Sequence, residues 1–108
     1  MNFGEIREIV ATYEKYEWVL KEFILTKETL PELADSLGQA YPRAGIRTSI
    51  VSAAWFSRPS KDDREAWELR LLSENPLALF ETFRSGEDAK TKRDARDKLE
   101  TRLAEMAS

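Results

Sequence analysis

Carboxylates, amines, hydroxyls and guanidinium groups are the only side chains here able to do acid–base, nucleophilic or electrostatic chemistry, because the 108 residues include neither cysteine nor histidine. That absence removes disulfides, thiolate metal sites, thiol nucleophiles, the commonest zinc ligands and every triad built on imidazole. Carboxylate catalysis needs two acids held at a fixed separation in a cleft. Glu68 and Glu81, in what read as adjacent strands, are the best ordered pair. Yet Glu68 alternates with Arg70 in the segment WELRLL, and the simpler reading is a solvated sheet face with cross-strand pairing. Ser49, Ser52, Ser57 and Ser60 belong to no G-x-S-x-G elbow or S-x-x-K pair. The four glycines are scattered singly, so there is no phosphate-cradling loop, and the acids show no D-x-D metal spacing. The residues point away from an enzyme, and neither a cofactor nor a metal is expected.

Charge narrows the partners further. The net charge is −3, divided as −2 over residues 1–54 (6 basic, 8 acidic) and −1 over residues 55–108 (11 basic, 12 acidic), so neither half attracts phosphate. Lys90, Lys92, Arg93, Arg96, Lys98 and Arg102 gather near the C-terminal end of the sequence. Glu87, Asp88, Asp94, Asp97, Glu100 and Glu105 are interleaved with them, which makes a neutral, solvated helix face. A nucleic-acid-binding module is accordingly disfavoured.

The elements that would position these groups follow from caps and periodicity. Asn2 and Glu5 have capping-box spacing, and Phe3, Ile6, Ile9, Val10 and Tyr13 recur at helical intervals, predicting a helix over about residues 3–15. The aromatic and β-branched run Trp18–Thr26 predicts a strand. Thr29 as cap, Pro31 and Glu32 open a second helix with Leu30, Leu33, Ala34 and Leu37 as its stripe, ended by Gly38 and Pro42. Residues 46–56 read as one strand, 58–64 as a polar turn and 66–72 as its hairpin partner. Residues 77–83 read as a third consecutive strand, with a helical turn from Pro76 as the alternative. Ser85 is the expected cap of a last helix carrying Ala89, Ala95, Leu99, Leu103 and Met106 on one face. The fold class is α+β: two layers, an antiparallel sheet of three or four strands packed with helices in the order α-β-α-β-β-β-α, forming one domain over residues 1–108. The opening MNFGEIREIV has no apolar run fit for a signal peptide or a membrane span, so a cytoplasmic location is expected.

Aromatic residues around the hairpin are the least ordinary feature. Alternation puts Trp67, Leu69 and Leu71 on one face of their strand and Glu68 and Arg70 on the other. In the partner strand Arg47, Val51 and Trp55 share a parity. If Arg47 faces water, Trp55 joins Glu68 and Arg70 on an exposed face, which Arg58, Tyr41 and Arg43 would extend from the neighbouring loops. Tryptophan, tyrosine and arginine dominate interface hot spots. The function that fits best is a non-enzymatic cytoplasmic protein-interaction or adaptor domain, binding a protein partner or itself as a homodimer through Trp55. A small-ligand-binding domain, or an enzyme using acid and arginine groups, is the alternative.

Overall fold

The computed structural model describes all 108 residues. α1 (Phe3–Lys15) starts where its cap is written: Asn2 Oδ1 accepts from the Glu5 amide at 2.9 Å and Glu5 Oε1 accepts from the Asn2 amide at 3.0 Å. This reciprocal pair satisfies two of the donors that every helix start leaves open. Glu17, in the left-handed region at φ 70°, turns the chain into β1 (Val19–Leu25). α2 (Leu30–Ala40) follows, with Pro31 in its first turn. Thr29 stands at the N-cap position, as expected, but its side chain makes no capping bond. Its hydroxyl lies 2.9 Å from that of Thr26, and the Thr26 carbonyl accepts from the Thr29 and Leu30 amides to begin the helical path.

The expected strand over residues 46–56 is two strands, β2 (Gly45–Thr48) and β3 (Ala53–Pro59), and they lie on opposite sides of β1. The chain must therefore cross the end of β1. Two hydrogen bonds fix the crossing: the Ser49 amide donates to the Leu25 carbonyl at 2.9 Å, and the Thr26 amide donates to Ser52 Oγ at 3.0 Å. β2 runs parallel to β1, with α2 as the crossover that parallel neighbours require. β3, β4 (Arg64–Leu71) and β5 (Ala78–Arg84) form an antiparallel meander, and the order across the sheet is β2-β1-β3-β4-β5. The hairpin between β3 and β4 closes through Asp62 and Asp63, both at φ 59°, a conformation aspartate tolerates better than most residues. The sheet is thus five-stranded and mixed, not a purely antiparallel one of three or four strands.

Two layers become three. α1 and α2 cover one face, where Ile6, Val10, Leu33 and Leu37 meet Phe23, Leu25, Ala54 and Phe56. On the other face α3 (Ala89–Ala107) sets Leu99 and Leu103 against Ile24, Trp55, Leu69 and Leu71. Strands covered on both sides need apolar residues of both parities, which is why the alternation in β1 and β3 is blurred. A bulge between Leu20 and Glu22 shifts the register of β1 and turns Glu22 to the α3 side, together with Ile24.

α3 begins later than Ser85 suggests. Ser85, just past β5, continues that strand's pairing by donating its amide to the Asp63 carbonyl at 2.8 Å, and Gly86, at φ 92°, makes the turn that a side chain would strain. The cap is Asp88, whose Oδ1 accepts from the Thr91 amide at 2.7 Å. That backbone bond holds the Asp88 carboxyl below its ordinary value of 3.8. A depressed carboxyl stabilises the folded state above its unfolded value, and the benefit fades as pH falls through the folded one. Asp88→Ala should therefore raise amide exchange at Thr91 at neutral pH, whereas Asp88→Asn should keep the protection and lose its decline in acid. Unchanged Thr91 exchange in Asp88→Ala would place the cap elsewhere. No helix is long and apolar enough to cross a membrane.

Candidate functional site

Beneath α3 lies a charged layer. Glu100, only 5% exposed, accepts from Arg47 Nη1 at 3.3 Å, from Arg47 Nη2, from Ser49 Oγ at 3.1 Å and from Trp55 Nε1 at 2.9 Å. Glu22 Oε1 accepts from Arg47 Nε and from Arg96 Nη2, each at 3.1 Å. The Arg96 guanidinium lies 4.9 Å from the Trp55 ring and 4.5 Å from the Trp67 ring, a cation in contact with two indoles that meet edge to face. Burial lowers the Arg96 pKa below the usual guanidinium range, with Glu22 opposing the shift. Farther along, Glu65 Oε1 accepts from Trp67 Nε1 at 2.7 Å and Lys92 Nζ at 2.9 Å, and these two bonds hold the Glu65 carboxyl below its ordinary value. A cleft of about 330 Å³ at the edge of this layer is lined by Glu22, Arg47, Arg93, Arg96 and Asp97. Glu22 in that lining is committed to the Arg47 and Arg96 guanidinium groups. Glu100 has four donors and no free lone pair to act as a base, so this layer fastens α3 to the sheet.

The opposite face carries a second polar group. The Tyr13 hydroxyl donates to Glu68 Oε2, and its ring stacks on Phe56 at 4.0 Å and 9°. Burial first, then the Glu68 carboxylate, push the Tyr13 pKa well above 10.0 and keep the phenol a neutral donor. Arg70 donates to the Leu71 and Ser73 carbonyls. Arg58 donates to the Tyr16 carbonyl at 2.8 Å and lies 4.5 Å above the Trp18 ring. No group of three or more acids is placed to hold a metal ion.

Of the residues singled out in the sequence, Glu68, Arg70 and Arg58 share this α1 side of the sheet. Tyr41 and Arg43 line a separate cleft with Glu14, Val19, Leu20 and Ala44, and the Tyr41 ring sits 5.5 Å from that of Phe23. Trp55 does not belong with any of them. It pairs with Leu69 in the hairpin register, is fully buried, and faces α3. Arg47 and Trp55 do lie on one face, as their parity says, but that face is covered by a helix that supplies Glu100 to both. The expectation of an exposed Trp55 fails at this point.

One surface that sequence reasoning did not single out is the outer border of the meander. β5 pairs with β4 alone and ends the sheet. The Leu77 carbonyl accepts from the Leu71 amide and the Ser85 amide donates to the Asp63 carbonyl, so odd-numbered residues of β5 bond inward. Ala78, Phe80, Thr82 and Arg84 therefore turn their backbone groups outward. The Thr82 amide donates to no strand, only to the side chain of Glu81 at 3.2 Å. Phe80, opposite Glu68 in the register, is 57% exposed on the α1 side and belongs to neither core. Its parity, opposite to that of Leu79 and Phe83, was the available signal. Glu100 had one too, since Arg96, Leu99, Glu100 and Leu103 fall on one helical face. Comparison of the chain with protein-family models, with curated proteins and with solved structures found no match.

Proposed function

We propose that this chain is a protein-interaction domain that binds its partner by adding a strand to β5. The observation that carries the reading is the open seven-residue edge Ala78–Arg84 with Phe80 exposed beside it. Proteins usually blunt such an edge with proline, lysine, a bulge or a covering segment, because unpaired strand groups template further pairing. β5 has none of the first three: its register with β4 is unbroken, its only basic residue is the terminal Arg84, and Pro76 stands before the strand. The other edge, β2, is only four residues long and its Arg47 is tied to Glu22 and Glu100. In strand addition the backbone supplies affinity and side chains of alternate positions supply selection. Here the selecting positions on the α1 side are Ala78, Phe80 and Thr82, with Glu68 and Arg70 opposite Phe80 and Ala78 in the adjoining strand. A small ligand in the Arg47 and Arg96 cleft is less favoured, because Glu22, Arg47 and Arg96 in its lining already pair with one another.

Affinity purification of the tagged chain from its native cells, with its own untagged copy counted among the partners, tests the reading. The parent should retain a stoichiometric protein partner that Phe80→Glu and Thr82→Pro both lose while melting at the parental temperature. Equal retention by parent and variants, or no stoichiometric partner for the parent, would overturn it.

A further inference from the structure

We infer that the strand added to β5 is β5 of a second copy, antiparallel about a two-fold axis that passes beside Phe80; this rests on the reading of β5 as the binding edge. In an antiparallel pair, residues directly opposite each other point to the same side and bond together when both face the gap. Outward bonding falls on the even positions, so a symmetric pairing must centre on a residue whose partner is itself. Centring on Glu81 sets two carboxylates face to face, which is unfavourable at direct cross-strand positions. Centring on Thr82 sets Phe80 opposite Arg84, which gives up the aromatic pair, and puts Ala78 opposite Gly86, where the chain has already turned out of the strand.

Centring on Phe80 removes both faults. Phe80 meets its own counterpart on the α1 side, where no helix lies over β5 and where cross-strand aromatic pairs are favourable. Ala78 lies opposite Thr82 in both directions, and about six backbone hydrogen bonds close across the junction. Arg84 comes opposite Pro76 of the other copy, next to the exposed Glu74 in the turn before the strand. The same approach occurs twice, because the two ends of β5 exchange places under the rotation. The edge is thus self-complementary in hydrogen bonding, in its aromatic centre and in charge. The result would be a continuous ten-stranded sheet. α1 lies toward β1 and β3, away from the junction, so it does not obstruct a neighbour approaching in the plane of the sheet. A single strand pair buries less than a standard interface, so micromolar affinity is the expected range.

Sedimentation equilibrium at about 10 to 100 μM covers that range. The parent should show twice its 12.5 kDa mass. Thr82→Pro, which removes an outward amide without touching the β4 ladder, and Phe80→Glu should both sediment as folded monomers, their fold checked by circular dichroism. Arg84→Glu and Glu74→Arg should each weaken the dimer about tenfold or more. An equimolar mixture of these two variants should recover parental affinity, since each altered end then meets an opposite charge. A parent that stays at monomer mass would overturn the second copy as occupant, and a different protein lost by Phe80→Glu would at the same time sustain β5 as the binding edge. A dimer untouched by Thr82→Pro would refute the strand pairing. Failure of the mixture to recover would refute the antiparallel register.

Discussion

Trp55→Asp should leave the chain unfolded. The indole is fully buried between the sheet and α3, packed with Leu69, Leu99 and Leu103, with Trp67 edge-on at 6.0 Å and Arg96 stacked on it. Deleting a buried aromatic ring costs about 3 to 5 kcal/mol. The new carboxylate would also be buried beside Glu100, a like charge, and taking it out of water adds to the loss. A domain of this size has a total stability of about 5 to 15 kcal/mol. Circular dichroism of Trp55→Asp should show a disordered chain at 25 °C. Trp55→Phe separates the two losses: it keeps most of the apolar volume and removes only the donor to Glu100, so it should fold with a stability lowered by about 2 kcal/mol in urea. A folded Trp55→Asp with a near-parental midpoint would mean that the ring is not core.

Glu100→Ala should be the most damaging change on α3. Only Leu99, Glu100 and Leu103 of its nineteen residues are buried, so the carboxylate is one of three buried side chains that hold the helix, beside the ion pairs of Lys92 and Arg96. Its removal strands Trp55 Nε1 and Ser49 Oγ and frees Arg47 from its strongest partner. Breaking a buried pair from one side costs about 3 to 5 kcal/mol. The lower end applies here, because the Arg47 side chain is 40% exposed and water can reach it. Urea unfolding should show about 3 kcal/mol lost for Glu100→Ala and less for Glu100→Gln, which keeps a carbonyl oxygen for the indole. The cost in Glu100→Ala should shrink when Arg47 is already alanine. Independent, additive losses in that double-mutant cycle would show that the two side chains do not interact.

How much of this was legible depended on the range of the interactions involved. α1 was readable because Asn2 and Glu5 are three residues apart and make their bonds to each other. The hairpin and the strand over residues 77–83 were readable for a similar reason: polar turns separate apolar runs, and neighbours in sequence pair in space. The break at Ser49–Ser52 was not. Ile50 and Val51 continue the apolar run, and what ends the strand is Ser49 bonding to Leu25 and Ser52 to Thr26, far back along the chain. Ile50 is consequently left 66% exposed. Ser85 and Asp88 are both plausible caps on spacing alone, and only the pairing of Ser85 with the β3–β4 turn removes the first. The error at Trp55 had the same origin. Its parity with Arg47 was right, but an arginine on a strand reads as solvent-facing until one knows that a carboxylate 53 positions later comes down on top of it.

The sheet's separation of two cores also gives each side its own optical reporter. Trp18 lies with Tyr13 and Arg58 on the α1 side, whereas Trp55 and Trp67 flank Arg96 on the α3 side. An indole in dry surroundings emits further to the blue than one in water, so emission from Trp18 follows one layer and emission from the other two follows the opposite layer. A chain with Trp18 replaced by phenylalanine would glow only from beneath α3. Whether the two layers melt as one cooperative unit or peel away separately, a difference that a single averaged signal hides, can then be read as coincident or displaced fluorescence transitions.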